Sequence, residues 1–178
     1  FLTSRAAFVN PALATFFGEG EARAGAFAKT TWRDARRVGL LTQPALLAAF
    51  SKPNQTSPVD RGRFVREQWL CTPPPPPPAN MEIKAPDLDP NLTTRERFSQ
   101  HSREPLCESC HRLMDPIGLG FEGFDAVGLP RTSEAGRPID ERGELVETDV
   151  DGPFDGPREL AERLSSSGTV RSCLVTQW

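Results

Sequence analysis

Apolar positions in this chain gather in short helical runs, divided by proline, glycine and charge. Asn10 can cap a helix that opens with Pro11 at its first position, continues from Ala12 to Phe17 and stops at Gly18. Phe8, Leu13, Phe16 and Phe17 want an apolar partner, and residues 1–35 as a whole read as helical. Thr42 can cap a second helix over Pro44 to Phe50. Ser57-Pro58-Val59-Asp60 joins a cap, a proline at the first helical position and an acid in the first turn, so a third helix is predicted to about Leu70. Val59, Gly62, Val65 and Trp69 share one face of it, which makes Trp69 a core residue.

The second half begins with a break. Pro73 to Pro78 can be neither helix nor central strand. It predicts a polyproline II rod of about 19 Å, at roughly 3.1 Å per residue, followed by a polar linker to residue 92. A threonine at 93 or 94 then starts a helix that runs to about Ser102. Pro138 to Val146 suggests a short hairpin around Glu141-Arg142-Gly143. Pro157 opens a helix through Leu164, and Thr169 or Ser172 opens the last one. Asp149, Asp151 and Asp155 near two glycines lack the spacing of a calcium-binding loop and read as a solvated acidic turn. No internal repeat is evident.

Composition narrows the picture a little. The net charge of −3 over 178 residues gives no reason to expect a nucleic-acid partner. No apolar run approaches membrane-spanning length. The sequence starts at Phe1 and ends inside a predicted helix, which suggests a mature or internal fragment of a larger assembly.

The chemistry lies in Cys107-Glu108-Ser109-Cys110-His111. Two thiols at this spacing, followed at once by an imidazole, form a covalent haem c attachment motif. The thiolates can add to the two vinyl groups on one haem edge, and His111 then lies under the iron as its proximal ligand. With four cysteines and two histidines in the chain, chance would produce the motif about once in a thousand such sequences. Zinc is the competing reading and would need two more ligands from Cys71, Cys173 and His101. A thioredoxin-like dithiol would need a βαβ context, which the flanking prolines argue against.

After the motif, Met114-Asp115-Pro116-Ile117-Gly118-Leu119-Gly120-Phe121 reads as a loop. Its glycines would let the backbone approach a flat ligand, with Ile117, Leu119, Phe121 and Phe124 as an apolar wall against the porphyrin. Thioether attachment belongs outside the cytoplasm, where disulfides also persist. With two thiols given to haem, Cys71 and Cys173 remain and should pair. For the sixth iron position, Met114 starts on the proximal side and is rejected. His101 and Met81 are the candidates, with an open or water-bound iron as the third possibility.

These words together resemble the C-terminal modules of planctomycete-type large secreted c-type cytochromes, strings of domains of unknown function. Phe1-Leu-Thr-Ser-Arg5 and Phe8-Val-Asn10 match the end of one module; Gly39-Leu-Leu-Thr42, Thr56-Ser-Pro-Val59 and the proline run match the next. Thr94-Arg-Glu-Arg97, His101, the Cys107–His111 motif, Asp115-Pro-Ile-Gly118, Phe124-Asp-Ala-Val-Gly128 and Asp155-Gly-Pro157 match the last. The resemblance implies one covalent haem c, redox partner proteins, further modules upstream and a periplasmic or extracellular place. The expected fold is mostly α. It comprises a helical end of an upstream module over 1–36, and a helical segment with polyproline linker over 37–92. A cytochrome c-like haem module with long irregular loops follows over 93–178. Single-electron transfer is the expected function. A catalytic, peroxidase-like haem with an open sixth position is the alternative, and a zinc- or disulfide-held interaction module is the third class.

Overall fold

A computed structural model describes residues 1–19, 25–77, 85–102 and 105–177, with only the backbone of residues 101, 105 and 106. Met81 lies outside these residues. The expectation of a mostly α, cytochrome c-like fold is not met: among the described residues the structure is mixed, 40% helical and 16% strand, with four two-stranded antiparallel sheets.

The N-terminal segment shows why. Strand β1 (Ala6–Val9) pairs antiparallel with β2 (Ala28–Thr31), and the predicted helix α1 (Pro11–Phe16) lies between them in sequence. The described residues of 1–35 are therefore organised as strand, helix and strand. Ala7 and Val9 point inward while Phe8 points out, the alternation of a half-buried strand, which four residues beside a helix start are too few to announce. Asn10 caps α1 by accepting from the Leu13 N–H at 2.9 Å. Gly18, at φ +68°, closes it: its N–H reaches the Thr15 carbonyl and that of Glu19 reaches Ala14.

Helix α2 (Pro44–Ala49) follows, but Thr42 does not cap it. Gln43 stands at the cap position without a side-chain capping bond, and the Thr42 hydroxyl is buried between the Val38 N–H and carbonyl. Strands β3 (Ser51–Lys52) and β4 (Gln55–Thr56) make a small hairpin before α3 (Pro58–Phe64). Ser57 caps α3 as expected, and the helix runs on as a π-helical turn over Val65–Trp69. Val65 and Trp69 are buried in the core, in line with the predicted face.

Thr93 and Glu96 form a reciprocal capping box at the start of α4 (Thr94–His101). The long helix α5 (Pro105–Leu119) is next, and it replaces the predicted loop after His111. Pro116 sits inside it and Gly118 near its end, signals that normally argue against helix. Packing against α3 overrides them. A Cβ on Gly118 would meet the Pro58 carbonyl oxygen at 1.8 Å, and one on Gly62 would meet that of Met114 at 2.0 Å. The two helices touch backbone to backbone through these glycines, so the glycines serve helix packing.

Strands β5 (Ser133–Glu134) and β6 (Arg137–Pro138) form one hairpin. Strand β7 (Arg142–Leu145) pairs with β8 (Gly152–Asp155), so the hairpin predicted within 138–146 is corrected: its second half is β7, and the partner comes from farther along the chain. Helix α6 (Gly156–Ser166) matches expectation. The last helix, α7 (Gly168–Thr176), is capped by Ser167 and by neither Thr169 nor Ser172.

The main core runs from Leu2 through Leu47, Trp69, Phe121 and Phe154 to Val170, and a second, smaller N-terminal cluster joins Ala7, Val9, Ala14 and Trp32. Arg37 ties the N-terminal cluster to the main core. Its guanidinium lies 4.8 Å from the Trp32 ring and 4.7 Å from that of Phe124, and it donates to the Thr42 and Gly128 carbonyls.

The acidic turn is structural. The Asp149 carboxylate accepts from the Ser167 hydroxyl at 2.5 Å and from the Gly168 and Thr169 N–H groups at 2.6 and 3.1 Å, at the start of α7. The Ser167 hydroxyl, then the two N–H groups, hold its pKa down from 3.8 to about 2. A depressed carboxyl stabilises the fold above its unfolded value and loses that contribution as pH falls through the folded one. Asp149→Ala should cost about 1 kcal/mol at neutral pH, a value set by exposed hydrogen bonding rather than by the full shift. It should also flatten the acid limb of stability between about pH 4 and pH 2. Urea melts across this range check both expectations.

Candidate functional site: the N-terminal end of helix α5

Helix α5 opens on Pro105, whose missing N–H costs nothing in a first turn. Spacings of three and four residues bring Cys107, Cys110 and His111 to one side of it. All three are half-buried, and both cysteines are free thiols. The Cys110 Sγ lies 3.7 Å from the Pro75 carbonyl, so the proline run passes beside the motif.

His111 is held by its own helix. Its Nδ1 lies 2.9 Å from Oδ2 and 3.0 Å from Oδ1 of Asp115, one turn on. A carboxylate only accepts, so Nδ1 carries the proton and Nε2 is the nitrogen of the tautomer suited to a metal. The hydrogen bond to Asp115 outweighs burial and raises the imidazole pKa above its ordinary value. Asp115 is itself buried and accepts from the Ser102 hydroxyl at 2.9 Å, at the end of α4. The carboxylate thus joins the motif helix to the helix before it.

Ile117 and Phe121, two of the proposed wall residues, lie in the main core with Phe124, and Leu119 is buried. His101 is the last residue of α4, and its side chain is outside the described set, as is Met81. Cys71 and Cys173 are joined as a disulfide. That pairing removes two of the three candidates for the two further ligands a zinc site would need, and among the described residues no group of three or more His, Cys, Asp or Glu could hold a metal. A groove of about 560 Å³ lies along α4, lined by Leu88, Leu92, Arg97 and Gln100 among others, and includes none of the motif residues.

Haem is the group the motif implies, and the donor set fits it. Two free thiols stand on the same side of a helix as an imidazole whose Nδ1 is already bonded to a carboxylate, the usual support for a metal-binding histidine. Two features escaped the sequence reading. The His111–Asp115 pair was visible as an i,i+4 spacing, but only for a helix continuing past His111. The buried pair of Arg61 and Glu122, 3.6 Å apart, left no local signal, since 60 residues separate them.

The described residues form a mixed fold of small two-stranded sheets and helices, one of which, α5, carries Cys107, Cys110 and His111. Residues 37–134, more than half of the chain, match the family PSCyt3, described as a protein of unknown function (DUF1588). The chain belongs to that family, a domain of planctomycete cytochrome-like proteins. No curated protein and no solved structure matches it. Among the described residues no helix is long and apolar enough to cross a membrane.

Proposed function

We propose that this chain is an extracytoplasmic c-type cytochrome module that passes single electrons through one haem. Cys107 and Cys110 hold the haem by thioether bonds, and His111 is its proximal ligand. The observation that carries this reading is the placement of two free thiols and a carboxylate-supported imidazole on one side of α5. When bound, the haem supplies an iron that cycles between ferric and ferrous states. The chain's own residues attach the haem edge through Cys107 and Cys110 and orient the His111 imidazole through Asp115. Covalent attachment keeps the cofactor on a domain whose apolar core is already packed with its own side chains. The disulfide fits a periplasmic or extracellular place, and redox partner proteins would deliver and remove electrons.

A second reading, a peroxidase-like haem with an open sixth position, is favoured by the Asp115 carboxylate, which makes His111 a stronger electron donor. The sixth ligand separates the two. His101→Ala and Met81→Leu are compared with the parent by absorption spectra of both oxidation states. Electron transfer predicts that one change turns a low-spin iron high-spin, and that the reduced parent binds no carbon monoxide. Unchanged spectra in both variants, together with carbon monoxide binding by the parent, would replace electron transfer by the catalytic reading.

A further inference from the structure

We propose that Asp115 is the positioning residue of the haem site, fixing the ring plane of His111 and lowering the reduction potential of the iron. The inference rests on the haem reading above and deepens it. Three observations carry it. The carboxylate reaches His111 Nδ1 with both oxygens, at 2.9 and 3.0 Å, so the ring cannot rotate without losing the contact. Asp115 is only 7% exposed, so the interaction is weakly screened. Its Oδ2 also lies 2.9 Å from the Ser102 hydroxyl, whose single proton is shared between this carboxylate and the Phe98 carbonyl at 2.9 Å, so the acid is held from the end of α4. The carboxylate is held in place before any iron arrives.

The chemical consequence follows from charge. A carboxylate on the Nδ1 proton draws that proton and leaves more electron density at Nε2. That density stabilises the ferric iron over the ferrous one. Reduction adds one electron, supplied by the redox partner, and breaks no bond; the proton stays between His111 and Asp115. A neutral partner at the same position keeps the hydrogen bond geometry but withdraws the charge, so reduction becomes easier.

A purely structural role for Asp115 competes, because the same carboxylate joins α4 to α5. Two variants separate the roles. Asp115→Asn removes the charge at nearly constant shape, whereas Ser102→Ala removes the α4 link and leaves the His111 contact. Redox titration of the haem-loaded chains against mediator dyes is the readout. The expected result is at least a tenfold shift of the ferric–ferrous equilibrium toward ferrous in Asp115→Asn, about 59 mV for one electron, and less than a threefold shift in Ser102→Ala. Equal shifts in the two variants, or less than a threefold shift in a folded Asp115→Asn, overturn the proposal. If Asp115→Asn does not fold, the parent protein decides. Its His111 ring N–H should exchange slowly with deuterated solvent in the reduced state, and rapid exchange overturns the proposal. A parent chain that carries no covalent haem sinks the haem reading itself, and a haem-loaded parent with an unmoved potential in the variant sinks only the role of Asp115.

Discussion

Replacing Cys71 and Cys173 by serine should lower stability by about 4–5 kcal/mol, because the disulfide closes a loop of 102 residues. The loss is of the order of a small domain's whole stability, so the variant should be largely unfolded near body temperature. Urea melts of the parent and the double variant measure it. The bridge joins the residue just beyond the π-helical turn to the buried Cys173 of α7. Around it the Gln68 carbonyl accepts from the Gln177 side chain at 3.0 Å. Cys71 holds φ +50°, a left-handed conformation uncommon outside glycine, and from there the chain turns into the proline run that passes Cys110. The disulfide therefore bears on the site as well as on stability. Thiol titration of the denatured, unreduced protein should find neither Cys71 nor Cys173, and two reactive thiols at these positions would rule the bridge out.

Arg61→Ala should cost about 3–5 kcal/mol, the usual loss when one partner of a buried ion pair is removed. Arg61 is 2% exposed and donates to the carbonyls of Phe121, Phe124 and Asp125 at 3.1, 3.3 and 2.9 Å, and to the Ser51 hydroxyl at 3.0 Å. It therefore pins the chain that leaves α5 onto α3 and the β3 hairpin. Glu122, beside it, accepts from the Thr56 hydroxyl at 2.8 Å and from Arg131 at 2.5 Å. Burial pushes the Glu122 carboxyl up and the Arg61 guanidinium down, so each charge is held at a desolvation cost that its partners only partly offset. Removing Arg61 leaves three carbonyls without that donor and Glu122 with Arg131 as its remaining cation. Guanidinium unfolding of Arg61→Ala checks the magnitude. A loss below about 1 kcal/mol would mean that the network relaxes around the gap.

The legible parts of this fold are those with local causes. Asn10, Ser57 and Thr93 each place an oxygen at a helix start, and each caps as expected. The Cys71–Cys173 bridge followed from counting thiols. Apart from β7, which falls inside the predicted hairpin, the strands were not legible; β3 to β6 are two residues long and depend on partners rather than on pattern. Helix α5 was hidden by Pro116 and Gly118, whose local preference for a break gives way to the contact with α3. Without that helix, Asp115 could not be read as lying one turn after His111. Cys107, Cys110 and His111 could be singled out as candidates because their motif is chemical rather than conformational.

The central claim is a covalent haem, and the most direct test is acid denaturation of the purified protein followed by organic-solvent extraction and intact-mass measurement. The haem should stay with the chain, raising its mass by one haem, and Cys107→Ala with Cys110→Ala should abolish that increment. Haem that leaves with the solvent, or a parent mass without it, would contradict the account.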